Sequence, residues 1–190
     1  MRTRPEFVFG YGSLAASLGP APTREIAPHG FVSELAGARR TWGVAMDNRR
    51  DLPGYKYYSD AAGNRPEAFV AYLDLVAGEG TVNGLCLPVD GATLIALDRR
   101  ERNYARIDVS DRIEAGGAGP LRVWAYVGTD EARRRFAHGC RTGTVVIHAA
   151  YARAVEAAFA ALGDDEHRAC LPSLHPGEIP VVELVRHELP

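Results

Sequence analysis

The sequence predicts an α+β fold in which a small, mostly antiparallel β-barrel is flanked by helices. Short apolar runs rich in aromatic and β-branched residues fill the first half of the chain, and most of the helical pattern follows them. Two further runs flank the turn Gly116-Gly117-Ala118-Gly119-Pro120 and read as a hairpin that completes the core. With 190 residues, 46% of them hydrophobic, the chain can bury one continuous core. The expected organisation is therefore a single unit, with a barrel core over residues 1–128 and a C-terminal helical extension and final strand over 129–190 packed on it.

Taken in order, Phe7 to Tyr11 is a strand of the fully buried type that runs into a bend containing Gly10 and Gly12. Pro20, Pro22, Pro28 and Gly30 break any regular element between Gly19 and Gly30. Strands are expected from Leu35 to Met46, Ala68 to Val76 and Val82 to Val89. The polar stretch from Asp47 to Pro66, with Tyr55, Tyr57 and Tyr58, is expected to be a long loop, and loops of that length often cover a site. Asp90 is placed to cap a helix reaching about Arg102, and the hairpin strands run from Ile107 to Ile113 and from Leu121 to Val127. Thr129, with Asp130 and Glu131 in the first turn, opens a short helix expected to end at Gly139. Ala149 to Leu162 is an alanine-rich helix stopped by Gly163, and Ile179 to Val185 reads as an edge strand.

Composition narrows the chemistry. A formal charge of −2, with 22 basic and 24 acidic residues interspersed, leaves no basic face for nucleic acid. No run approaches the roughly 18 apolar residues of a membrane span, and Met1 to Glu6 lacks the apolar core of a secretory signal, so a cytoplasmic protein without membrane partners is expected. Lys56 is the only lysine, which removes a phosphate-loop motif and leaves one candidate for Schiff-base chemistry. Cys86, Cys140 and Cys170 are odd in number and far apart, and are expected to be packed thiols. None of the six histidines stands at the i, i+3 or i+4 spacing of a helical metal site, so no metal is expected.

Two segments carry chemistry. Gly10-Tyr11-Gly12-Ser13-Leu14-Ala15 follows a strand and can turn successive N–H groups toward a ligand. It also fits a dinucleotide-binding pattern, but Gly19, Pro20 and Pro22 cut off the long helix that pattern needs. A hydrolase elbow needs glycines two residues either side of Ser13, where Tyr11 and Ala15 stand. In the second segment, Leu94, Leu97, Glu101 and Tyr104 share one helical face if helical geometry persists to Tyr104, which sets Glu101 within an apolar stripe while Asp98, Arg99, Arg100 and Arg102 face solvent. An inward carboxylate must be paired, bound to substrate or made easier to protonate by desolvation. Either a general acid/base or a structural pair with an arginine such as Arg39 or Arg106 satisfies that requirement.

Together, Phe9-Gly10-Tyr11-Gly12-Ser13-Leu14 and Leu97-Asp98-Arg99-Arg100-Glu101 with Tyr104 resemble, in the expected order, the Tyr-Gly-Ser-Leu loop and the glutamate segment of the γ-glutamylcyclotransferase superfamily, including its ChaC-like members. Thr41 to Asn48 and Val82 to Leu85 resemble strands between those motifs, and the likeness covers residues 7 to about 127. The resemblance implies a γ-glutamyl substrate that loses 5-oxoproline as its own α-amine attacks its γ-carbonyl. It implies Glu101 as the general acid/base, and Tyr11, Gly12, Ser13, Leu14, Tyr104 and Tyr126 as substrate-binding residues. No cofactor is required, and a monomer or homodimer is expected. A non-catalytic ligand-binding or regulatory module on the same fold is the alternative.

Overall fold

The structure, a computed structural model, describes residues 4–17, 30–113 and 121–190. The expected turn at Gly116 to Pro120 lies outside the described residues. An α+β architecture is observed, built on a seven-stranded mixed sheet with helices packed against it.

Strand β1 (Glu6–Gly10) runs between β4 (Phe69–Val89) and β6 (Arg122–Gly128), antiparallel to the first and parallel to the second. Being covered on both faces, its Val8 and Phe9 are fully buried, which explains the unbroken apolar run. β2 (Phe31–Asp47) pairs with β4 along nearly its whole length, from Phe31 opposite Cys86 to Asp47 opposite Phe69. The two strands expected at 68–76 and 82–89 are the halves of this single β4. Gly78-Glu79-Gly80 resembles a turn in sequence, but the ladder shifts there instead, opposite Gly37, whose φ of 67° is available to glycine at little cost.

β5 (Tyr104–Asp108) and β6 form the expected hairpin with their own bounds, and a short 3₁₀ turn, Ser110–Arg112, follows β5. Among the described residues no ladder closes the sheet, and an isolated bridge from Leu35 to Ile113 joins β2 to the hairpin edge.

Helix α1 (Ser13–Ser17) follows the bend after β1. Helix α2 (Gly91–Arg100) starts where Asp90 accepts the Thr93 N–H at 2.7 Å and buries Leu94 and Leu97 against Val8, Leu14 and Tyr126. Helix α3 (Asp130–Thr142) is capped by Thr129 and runs three residues past the expected stop. Gly139 stays helical because it packs against Phe69 and Val145, and Gly143, at φ 65°, ends the helix.

The remaining chain adds β7 (Val145–His148), parallel to the start of β4, then α4 (Ala149–Leu162) and α5 (Asp164–Leu174). Val155, Phe159 and Cys170 from these helices join the main core. The expected edge strand at 179–185 is two short ones. β8 (Val181–Val182) extends the sheet beside β7, and β9 (Val185–Glu188) pairs with β3 (Lys56–Ser59), a strand inside the segment expected to be a loop.

That second ribbon is pinned from within. Fully buried Asn48 accepts the Tyr58 N–H at 2.7 Å and donates to the carbonyls of Tyr58 and Pro66. Of the three thiols, Cys86 and Cys170 are buried as expected, whereas Cys140 is exposed on α3. Among the described residues no helix is long and apolar enough to cross a membrane, and no cluster of three or more His, Cys, Asp or Glu is arranged to hold a metal.

Candidate active site

One edge of β4 is taken by β7 at Phe69 to Ala71 and by β1 at Leu85 to Val89. In the gap between those partners, Leu73 receives side chains instead: its carbonyl accepts the Tyr104 hydroxyl at 2.7 Å, and its N–H reaches the Tyr151 hydroxyl at 3.4 Å. Beyond Tyr104 and Tyr151, which also line it, lies a chamber of about 470 Å³. Leu73 itself lines a recess of about 20 Å³ that shares Ser13, Glu101, Tyr104 and Tyr151 with the chamber and has room for little more than one polar group.

All seven residues singled out in the sequence, Tyr11, Gly12, Ser13, Leu14, Glu101, Tyr104 and Tyr126, line this recess. Two elements bring them together. The bend between β1 and α1 is tight because a Cβ on Gly10 would meet the Ala15 nitrogen at 2.8 Å, so glycine there lets the chain fold onto itself rather than onto a ligand. Ala15 N–H closes the turn onto the Gly12 carbonyl at 3.0 Å, and the first N–H groups of α1 have no acceptor within that helix.

Helical geometry does not persist to Tyr104. Glu101 is the C-cap of α2, with ψ 52°, its N–H still bonded to Leu97, and Tyr104 begins β5 opposite Gly128. The chain leaves the helix because Asn103 is drawn into the sheet: its carbonyl accepts the Thr129 N–H, and its side chain binds Tyr55 and Arg135. Glu101 and Tyr104 nonetheless face the same space, from a helix end and a strand start.

Glu101 is half-enclosed, its side chain 15% exposed, and Oε1 is held by Arg100, with Nε at 2.9 Å. The pairing arginine is thus the adjacent residue, while Arg106 pairs with Asp98 at 3.3 Å. Asp98, expected to be wholly solvated, accepts the Tyr126 hydroxyl at 2.7 Å.

Several lining groups are committed to the framework. Tyr11 donates to the Tyr126 carbonyl at 2.6 Å, and Leu14 packs beneath α2. Burial pushes the phenols of Tyr11, Tyr104, Tyr126 and Tyr151 upward, and the Glu101 charge adds to that, so all four are neutral donors at physiological pH. Tyr151, which also bonds the Ser13 hydroxyl, gave no signal in an alanine-rich helix. Lys56 and Tyr58, on β3, line the chamber too. The tyrosines of that segment were the visible hint of a site, but nothing in the sequence set Lys56 beside Glu101.

No family model matches the sequence, and no curated protein does. Solved structures do match. YkqA from Bacillus subtilis aligns over 95% of this chain with a TM-score of 0.56 at 16% identity; the chain spans 57% of YkqA's length. A yeast γ-glutamyl cyclotransferase specific to glutathione aligns over 90% of this chain and 96% of its own, with a TM-score of 0.53 at 13% identity. At such identities the likeness shows the fold: this chain has the γ-glutamylcyclotransferase fold.

Proposed function

We propose that the chain is a γ-glutamylcyclotransferase, which converts a γ-glutamyl amino acid, peptide or amine into 5-oxoproline and the free amine. The observation that carries this reading is that Glu101 is the one carboxylate lining both the recess under the Ser13 bend and the wider chamber, among the described residues. A fold shared with a cyclotransferase specific to glutathione supports it.

The reaction needs no group beyond those present. Glu101 takes a proton from the substrate's α-ammonium; the freed amine nitrogen attacks the γ-carbonyl carbon, closing a five-membered ring. Collapse of the tetrahedral intermediate breaks the original C–N bond as Glu101 gives that proton to the departing nitrogen, and the ring nitrogen's surplus proton passes to the released amine, which leaves as an ammonium. No water is consumed. Holding amine and carbonyl in contact is worth up to about 7–11 kcal/mol, and a placed acid/base about 10²–10⁴ in rate. One polar atom of the substrate fits the recess, where the neutral Tyr151 hydroxyl, which accepts the Leu73 N–H, keeps its own proton to donate to an oxyanion or carboxylate.

The test is 5-oxoproline release from a panel of γ-glutamyl amino acids, γ-glutamyl amines and glutathione. Glu101→Gln is expected to fold normally and lose about 10²–10⁴ in kcat. Full turnover by the folded variant removes Glu101 from the mechanism, and silence of the wild type across the panel leaves a binding module in place of an enzyme.

A further inference from the structure

The chamber wall holds an unbalanced set of charges. Four cationic side chains, Lys56, Arg100, Arg102 and Arg186, line it against two carboxylates, Glu101 and Glu188. Arg100 is held by Glu101 at 2.8 Å, and Arg186 by Glu188 at 2.5 Å. Arg102 donates to the Arg99 carbonyl at 3.4 Å and lies over the Tyr55 ring.

Lys56 has no such partner. Its ammonium makes no hydrogen bond or ion pair with any described residue, and is steered only by the faces of Tyr55 and Tyr72, at 5.4 and 4.7 Å from their centroids. Lys56 is half-buried, and an ammonium drawn part of the way out of water without an acceptor loses hydration that a ring face replaces only in part. Lys56 lines the wide chamber and not the recess beneath the bend. The chamber is far larger than the recess and has room for the half of a substrate that departs.

Resting on the cyclotransferase reading, we propose that Lys56 selects substrates whose departing half carries a carboxylate, so that the amine released is an amino acid or peptide rather than a simple amine. Lys56 acts on binding and specificity and takes no part in ring closure. The hydration the ammonium loses on the chamber wall is offset when a substrate carboxylate supplies the missing acceptor.

The test compares γ-glutamyl-alanine with γ-glutamyl-ethylamide, which differ only by that carboxylate, by measuring 5-oxoproline release. For the wild type, kcat/KM is expected to be about ten- to a hundred-fold higher for γ-glutamyl-alanine, the range a charge-assisted hydrogen bond contributes. Lys56→Met should abolish the preference by raising KM for γ-glutamyl-alanine while leaving kcat within about two-fold and the ethylamide unaffected. Lys56→Arg should keep most of the preference. A wild type that turns over both equally overturns the assignment while leaving the reaction standing. So does a Lys56→Met loss that is the same for both substrates, which would place Lys56 on the glutamyl half. Absence of 5-oxoproline from either substrate overturns the reaction and this assignment with it. Should Lys56→Met fail to fold, as read from its melting curve, the wild-type ratio and Lys56→Arg still decide.

Discussion

Removing the guanidinium of Arg133 tests what holds β4 in place behind the candidate site. Asp74, fully buried and next to Leu73, accepts the Gly128 N–H at 2.6 Å and the Arg133 Nε at 2.7 Å. Arg133 also donates to the Leu75 carbonyl at 3.2 Å, so one side chain from α3 ties down two residues of the central strand. Deleting one partner of a buried pair costs about 3–5 kcal/mol, because the remaining charge is stranded. Two features favour the low end. The Arg133 side chain is 38% exposed, so water enters part of the space it leaves, and the Gly128 N–H stays with the carboxylate. About 3 kcal/mol in a chain of this length lowers the melting temperature by about 6–12 °C. The assay is thermal unfolding of Arg133→Ala at neutral pH, followed by circular dichroism. Adding Asp74→Asn removes the stranded charge, so the double variant should lose at least about 1 kcal/mol less than the two single losses added together. A single-variant shift under about 2 °C, or strict additivity, would refute the claim that this pair locks the strand.

Two further outcomes concern the chamber. Burial holds the Lys56 ammonium down at about 8, with Arg186 pushing the same way and Glu101 opposing. Other groups lining the chamber are Arg100, Arg102 and Glu188, the Tyr55, Tyr58 and Tyr72 phenols that burial keeps protonated, and His148, whose imidazole desolvation pushes toward the neutral form. Only the protonated amine binds a carboxylate, so kcat/KM for γ-glutamyl-alanine should fall above about pH 8 relative to γ-glutamyl-ethylamide. Lys56→Arg should erase that difference, and identical profiles for the two substrates with the wild type would count against it. Tyr104→Phe removes the donor to the Leu73 carbonyl and should cost about 1–2 kcal/mol of stability while lowering kcat less than Glu101→Gln does. A Tyr104→Phe variant as inactive as Glu101→Gln, with an unchanged melting curve, would instead place that hydroxyl in the chemistry.

The parts of this molecule legible in its sequence are those fixed by local physics. Asp90 and Thr129 cap the helices they were expected to cap, and Gly163 stops α4, since each acts through backbone groups within a few residues. The run of Phe7 to Phe9 announced a strand covered on both faces. The bend and Glu101 were marked as a pair by resemblance, and the fold sets both around one recess. What escaped depends on distant partners. β3 has no strand-like apolar pattern of its own and is a strand because residues 185–188 pair with it. Gly78 to Gly80 looked like a turn because a bulge uses the same residues. Helix α5 was not read from the sequence, although Asp164, Asp165 and Glu166 stand in its first turn, because Pro172 near its end is a residue that ordinarily breaks a helix. The exit of Glu101 from helical geometry was invisible for a similar reason, since it is Asn103's bonds to Thr129, Tyr55 and Arg135 that pull the chain aside.

The β3–β9 ribbon gives the two sides of the chamber separate histories within one chain. Beyond the ladder itself, Leu189 donates to the Tyr55 carbonyl at 2.6 Å, Gly54 donates to the Pro190 carbonyl at 3.0 Å, and Ser59 meets His187 at 2.8 Å. The carboxylate and the bend belong to the first 101 residues, whereas the segment bearing Lys56 depends on the last six for its shape. A protein trimmed at residue 184 would keep every reacting group yet present a slack, unzipped flank to the incoming molecule, and remodelling those few positions could change which compounds are admitted without touching the centre where bonds rearrange.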